Sequence, residues 1–375
     1  MATKPTASIE WRTPNTGATT PITTVTANIT RIAFNTGRTQ ISDYWTNGTC
    51  TVSGRGFLSS TPAIGDYARV KIFNGTDYAF FYGVIADYQK NYGFTTAYDS
   101  FDLRIDGPMS TINRTYTNLN WSSGYSWISA IAYGSLAITP TQIRFPGSDV
   151  SQTKVSAMNA DEIYGNMVER VVTTNQAVIR ETGDEDWPGA YNLSPVINIY
   201  DRGDAVYLYQ NIGTVSDTGG AGESPFVNIT FNSTSYNYAT KVVVEPDAVA
   251  AQSSGTGIYT LQFQTMDNTT TQAANLAGYI KTSLDNATNV PSSVTIDGAS
   301  AATGWIAKCR PSNIKNKLTV KLRGNTYNCV VEGIEFDADP NNWRCTFHLS
   351  SDLQNAFLRL DDAVFGKLDT NKLGF

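Results

Sequence analysis

Histidine is almost missing: His348 is the only one in 375 residues, which removes most imidazole-based acid–base and metal chemistry before any motif is sought. Cysteine is scarce as well. Cys50, Cys309, Cys329 and Cys345 include no C-x-x-C pair, and a zinc site usually shows at least one such close pair. Reduced thiols serving as small core residues account for them; a disulfide among Cys309, Cys329 and Cys345 stays open. Charged residues are only 16% of the chain, against roughly 25% in an average soluble domain. The formal net charge of −6 argues against a dedicated binder of nucleic acid or of an anionic membrane surface. Long apolar runs are lacking too. The most apolar stretch, Trp127 to Ile138, is interrupted by Ser129, Gly134 and Ser135 and falls short of the ~18–20 residues that cross a bilayer. No apolar stretch follows Lys4, so the start does not read as an export signal. The Asn-x-Ser/Thr triplets at Asn28, Asn47, Asn74, Asn113, Asn228 and Asn268 then reflect polar strands and loops, not glycans.

What is abundant is aromatic and small polar residues. With 20 Tyr and 16 Phe among 41% hydrophobic residues, the chain has enough to build cores, and wholesale disorder is excluded. Short strands with turn punctuation dominate. Val70 and Ile72 alternate with Arg69 and Lys71, predicting a strand with one buried and one wet face. Asn74-Gly75 supplies a tight turn, and the aromatic run Tyr78 to Tyr88 returns, giving a hairpin over about 66–88. Strands are also expected around Ile9, at Val25 to Phe34, Cys50 to Gly56 and Phe94 to Ile105. Later ones are expected at Phe226 to Asn232, Tyr236 to Glu245, Ile258 to Gln264, Leu318 to Arg323, Tyr327 to Val331 and Trp343 to Leu349.

Two segments carry helical periodicity. From Asn159 to Val171, the residues Ile163, Met167, Val168 and Val171 share a face, with Asp161 and Glu162 near the start. From Thr269 to Leu284, Leu276, Tyr279, Ile280 and Leu284 form a stripe behind a Thr269/Gln272 capping box. A shorter helix is expected from Trp127 to Tyr133, stopping at Gly134. Stretches 146–158, 212–224 and 247–257 read as boundaries. The expected class is mainly β with minor α: two tube-like β-barrel domains with inserted α+β domains. The division is 1–115 for a first β-barrel, 116–215 for an inserted α+β domain, 216–300 for a second β-rich segment with a helix, 301–359 for strands closing the last barrel, and 360–375 for a C-terminal docking tail.

Candidate chemistry is sparse. His348 falls on the polar face of its strand with Arg344 and Thr346, opposite the apolar Trp343, Cys345, Phe347 and Leu349. Asp337, Asp339 and Asn341 have calcium-loop spacing, but Asn342 replaces the glycine at position six and His348 the glutamate at position twelve. Gly183 to Gly189 clusters Asp184, Glu185 and Asp186 beside Trp187; adjacent acids in a turn do not span a cleft as a glycosidase pair does. Lys308, Arg310, Lys315, Lys317, Lys321 and Arg323 form the one basic stretch, suited to an acidic neighbouring subunit. Gly219-Gly220-Ala221-Gly222 lacks the lysine and helix of a phosphate loop. No catalytic, cofactor or metal site is expected.

The run Tyr327 to Phe336, followed by Asp339-Pro340-Asn341-Asn342-Trp343 and Cys345 to Ser350, resembles the last barrel of tailed-bacteriophage tail hub proteins. That family includes the baseplate hub and the N-terminal part of tail-associated lysins. Leu360 to Phe375 is similar to the ends of minor tail proteins. Ile64 to Val70 with Tyr82 to Tyr88 resembles the family's first barrel. The resemblance implies a structural virion protein at the tail tip, made in the host cytoplasm: a homotrimeric ring joining the tail tube or distal tail protein to the tip and central fibre proteins, near the tape measure protein, with DNA only as passing cargo and no stable membrane binding. Tail-associated lysins continue into a peptidase or fibre domain, whereas this sequence ends at Phe375, so cell-wall cleavage is not expected. A hexameric distal tail protein and a carbohydrate-binding adhesin are the alternatives.

Overall fold

The computed structural model describes residues 6–352 apart from 15–22, 26–27, 41–42, 59, 74–76, 136–141, 147–153, 184–194, 203–206, 232–238 and 288–289. The Asn74-Gly75 turn, the acidic run Asp184 to Asp186 with Trp187, and the tail 360–375 therefore lie outside the described residues. The first strands are β1 (Thr6–Arg12), β2 (Thr23–Val25), β3 (Ile29–Gly37), β4 (Thr46–Arg55), β5 (Tyr67–Phe73), β6 (Asp77–Asn91) and β7 (Ser100–Asp106). β5 and β6 pair as the expected hairpin. The expected wet face of β5 fails at Arg69, which is buried opposite Glu10 of β1, while Lys71 on the same face stays part-exposed and pairs with the same carboxylate. Arg69 is buried, ion-paired to Glu10, with its guanidinium over the Tyr82 ring.

The middle begins with α1 (Met109–Ile112), β8 (Tyr116–Trp121), β9 (Tyr125–Ser126), α2 (Trp127–Ser135), β10 (Gln142–Arg144) and β11 (Lys154–Val155). It continues through β12 (Met158–Ile163), α3 (Tyr164–Asn175), β13 (Val178–Gly183) and β14 (Pro195–Tyr200). The helix expected from Asn159 starts only at Tyr164. Residues 158–163 pair instead with β8, so Asp161 and Glu162 sit on a strand and long-range pairing overrides the local helical period. Met167, Val168 and Val171 are buried as the stripe requires, while Ile163 is 38% exposed.

The last part holds β15 (Asn211–Ser216), β16 (Ser224–Pro225), β17 (Asn228–Thr230), β18 (Lys241–Pro246), β19 (Gln252–Gly255) and β20 (Thr260–Thr265). Then come α4 (Thr270–Ala287), β21 (Ser293–Asp297), β22 (Lys317–Leu322), β23 (Asn325–Ala338) and β24 (Trp343–Ser351). Two stretches read as boundaries thus carry strands β15, β16 and β19, whose Gly and Ser residues disguise them. At α4 the Thr269 hydroxyl accepts from the Gln272 backbone N–H at 3.2 Å, and the Gln272 side-chain Oε1 accepts from the Asn268 N–H at 3.0 Å. The Thr269 half of the expected box is present, and only the return bond falls one residue early, on Asn268 instead of Thr269. Leu276, Ile280 and Leu284 pack with Val242, Val244 and Phe263 in a small core of their own. No described helix is long and apolar enough to cross a membrane.

Fourteen of the described strands form one sheet, ordered β16-β15-β22-β23-β3-β4-β7-β6-β5-β1-β2, with β24, β21 and β17 branching from β23. The molecule is mainly β with few helices, and the described ladder does not close on itself. Strands from the two ends of the chain meet where β3 pairs with β23; there Phe34 stacks on Phe336 and Phe80 packs against Phe336 at a tilt.

Candidate functional site

β23 changes partner along its length. Up to Val330 it pairs with β22, and from Gly333 it pairs with β3. A register shift against β24 between Val331 and Gly333 marks the change; such bulges re-aim a side chain. The side chain re-aimed here is Glu332, which has no solvent exposure. Its carboxylate accepts from Arg38 Nε at 2.8 Å, from Lys315 Nζ and from the Ser350 hydroxyl at 2.5 Å. The Arg38 guanidinium lies 4.6 Å from the centroid of the Trp45 ring. Burial alone would raise the Glu332 carboxyl, but the cations Arg38 and Lys315, with the hydrogen bonds of Lys315 and Ser350, hold it down at about 2. Buried charge needs this degree of pairing. The cluster fastens the two halves of the sheet together.

Outside the seam lies a groove of about 430 Å³, lined in part by Thr36, Arg38, Asp43, Tyr44, Glu335 and His348. His348 Nε2 lies 2.9 Å from Glu335 Oε1. The described lining holds no serine or cysteine that this imidazole would activate. The two side chains share a hydrogen bond at the mouth of the seam.

A second fastening comes from β13, whose consecutive residues point to opposite faces. Glu181 reaches the first strands: its carboxylate accepts from Gly48 N–H at 2.6 Å and Met109 N–H at 2.8 Å, with the Thr36 hydroxyl at 3.5 Å. Burial pushes this carboxyl up to about 7, against the pull of those donors. Arg180 reaches the other way, donating through Nε to the Ile314 carbonyl at 2.8 Å and stacking on Tyr200 at 4.8 Å. One strand of the middle segment thus grips both halves of the large sheet.

The residues singled out by sequence do not converge. Asp337 pairs with Arg31 at 2.7 Å, and Asp339 Oδ1 accepts from the Asn341 and Asn342 N–H groups at 2.6 and 2.9 Å, closing a turn. Within the basic stretch, Lys308 lies over Trp305, Lys317 pairs with Asp352 and Lys321 pairs with Glu223 of the same chain. Sequence reasoning missed Glu332, Arg38, Glu181 and Arg180. The one available signal was a lone carboxylate inside the apolar run Cys329-Val330-Val331-Glu332-Gly333-Ile334.

The surface carries another feature. The loop between β6 and β7 displays Tyr92, Phe94 and Tyr98 at 77%, 101% and 75% exposure, with Phe57 against Tyr92 at 4.9 Å between ring centroids. Exposed aromatic clusters of this kind mark contact surfaces.

No protein-family model matches the chain, and no curated protein matches it in sequence. Solved structures match nearly end to end. A tail protein from Neisseria meningitidis MC58 matches with a TM-score of 0.59 at 10% identity, over 94% of this chain and 98% of that one. The 43 kDa tail protein of prophage MuSo2 from Shewanella oneidensis gives 0.57 at 12% identity, over 93% and 97%. Prophage tail protein gp18 from Listeria monocytogenes EGD-e gives 0.50 at 10% identity, over 92% and 94%. At these identities the likeness is one of architecture: the chain has the fold of phage-type tail proteins.

Proposed function

We propose that this chain is a tail-hub subunit, a structural virion protein that connects the tail tube or distal tail protein to the tail tip and its fibres. In this reading three copies form a ring, each giving two tube-like β units, so that a six-fold-like surface meets the tube above. The tape measure protein ends nearby, and DNA passes only as cargo. No catalytic step is assigned to it. The observation that carries the reading is the nearly full-length likeness to tail proteins on both sides of the comparison. Two further features support it. The buried contacts of Glu332 and Glu181 tie strands of the first, middle and last segments to one another, as a subunit that transmits force along a tail requires. The exposed Tyr92, Phe94 and Tyr98 offer an aromatic surface for a permanent contact, and such contacts usually bury more than ~2,000 Å².

Copy number tests the proposal. A reconstruction of the intact tail, or light scattering on isolated tips, is expected to give three copies. Six would move the assignment to the distal tail protein, and a single copy would end the hub reading. The same aromatic loop also suits stacking on sugar rings, which is the adhesin alternative. Glycan-array binding by the isolated protein, abolished by Phe94→Ala and Tyr98→Ala, would favour it.

A further inference from the structure

Asn-Gly occurs twice in the sequence, at Asn47-Gly48 and Asn74-Gly75, and the first of these lies against a buried carboxylate. β3 and β4 slip in register there. Asn35 is opposite Thr49 and Gly37 opposite Thr46, so Asn47 and Gly48 together face the single residue Thr36. Such a bulge leaves a residue outside the ladder. The Gly48 N–H turns instead to Glu181 Oε2 at 2.6 Å, and its carbonyl accepts from the Gly107 N–H at 2.7 Å. Only glycine fits at position 48, because a Cβ there would collide with Glu181 Oε2. The Asn47 side-chain oxygen is buried and accepts no hydrogen bond among the described residues, so nothing pins that amide by its oxygen.

We propose that Asn47-Gly48 is a self-modifying site, where the Gly48 nitrogen closes on the Asn47 side-chain carbonyl carbon and Glu181 serves as the base. The reacting atoms belong to adjacent residues, so chain connectivity keeps them within reach, and a nitrogen with no Cβ beside it is the least hindered of amide nucleophiles. What an amide nitrogen lacks is a base within hydrogen-bond reach of its proton, and Glu181 supplies one. Burial raises this carboxyl to about 7, which makes it a stronger base than an ordinary carboxylate. The nearest charged group is Asp106, itself paired with Arg104 and Arg114. In the reaction the Gly48 N–H proton passes to Glu181, a bond forms between Gly48 N and Asn47 Cγ, and the bond from Cγ to Nδ2 breaks. Ammonia leaves with the proton that Glu181 had taken, and the product is a cyclic imide. Water then opens the ring at either carbonyl, giving aspartate or isoaspartate at this position. Ring closure removes the N–H that Glu181 grips, so the modification loosens the hold of β13 on β4.

The test follows the intact protein near neutral pH by peptide mapping, with Asn74-Gly75 as the internal reference. Asn47 is expected to convert at least about tenfold faster in the folded protein than in urea, where the two sites should convert at similar rates. The intact mass should first fall by one ammonia and then rise by one water, and the thermal midpoint should drop by a few degrees as conversion proceeds. Glu181→Gln keeps the shape of the side chain without its basicity, and should slow Asn47 at least about tenfold while leaving Asn74 unchanged. Asn47→Ser should abolish the change at this site. Should Glu181→Gln fail to fold, the comparison of folded with urea-unfolded wild type decides alone. An Asn47 amide that persists in the folded protein, equal rates in wild type and Glu181→Gln, or conversion only after unfolding would overturn the proposal.

Discussion

Gly37 of β3 lies directly opposite Gly333 of β23, and neither position has room for a side chain. A Cβ on Gly37 would come within 2.7 Å of Gly333 Cα, and one on Gly333 within 2.5 Å of the Arg38 carbonyl oxygen. Gly37 also has a φ of +88°, which L side chains adopt only with strain. The two glycines let the halves of the sheet approach closely enough for Arg38 to reach Glu332. Gly333→Ala is therefore expected to cost about 2 kcal/mol or more, since the obstacle is backbone that does not yield. Urea titration reads this directly, and an unchanged midpoint would show that the seam relaxes freely.

Glu332→Gln leaves Arg38 and Lys315 facing each other in a dry site, at an expected cost of about 3–5 kcal/mol. The wild type should show the same interaction as acid sensitivity. The carboxyl sits at about 2, below its ordinary value of 4.5, so its contribution is complete above pH ~4.5 and is lost as the pH falls through ~2. Thermal melts of wild type and variant at pH 5 and pH 2.5 should converge on acidification.

Glu181 has the opposite sign. Its carboxyl is raised to about 7 from 4.5, so the folded state holds that proton more tightly than the unfolded chain. The associated stability is complete below pH ~4.5 and is lost as the pH rises through ~7, up to about 3 kcal/mol. Asp267, raised by burial to about 6, adds to the same trend. Glu181→Gln, neutral throughout, should flatten the decline between pH 5 and pH 8. Parallel slopes for wild type and variant would show that Glu181 does not titrate in this range.

Trp343→Ala should cost about 3–5 kcal/mol, as large aromatic truncations in cores do. Trp343 is 7% exposed and stacks on Phe336 with ring centroids 6.1 Å apart. A loss below about 1 kcal/mol in a denaturant titration would mean that the stack contributes little.

The sequence announced the elements whose period matched their burial. Trp343, Cys345, Phe347 and Leu349 alternate and are all buried; Leu276, Ile280 and Leu284 recur at helical spacing and line one core. It concealed elements defined by their partners. β15 pairs in parallel with β22, yet Asn211-Ile212-Gly213-Thr214 has the composition of a loop. Residues 158–163 carry part of a helical stripe but are held straight by β8. The site was hidden for the same reason. Arg38 and Glu332 are 294 positions apart, and no local spacing links them.

That separation bears on how the protein is made. β3 and β4 leave the ribosome early, but the far edge of β3 has no strand to accept until β23 has been synthesised. Arg31 waits longer still, because its partner Asp337 follows 306 residues later. Pairings this distant in sequence form slowly and leave open strand edges exposed in the meantime. A nascent chain stalled before Glu332 would present the edge of β3 and an unpaired Arg38. Completion of the seam is thus a late event in synthesis, and truncated chains are the species that a chaperone would be expected to hold.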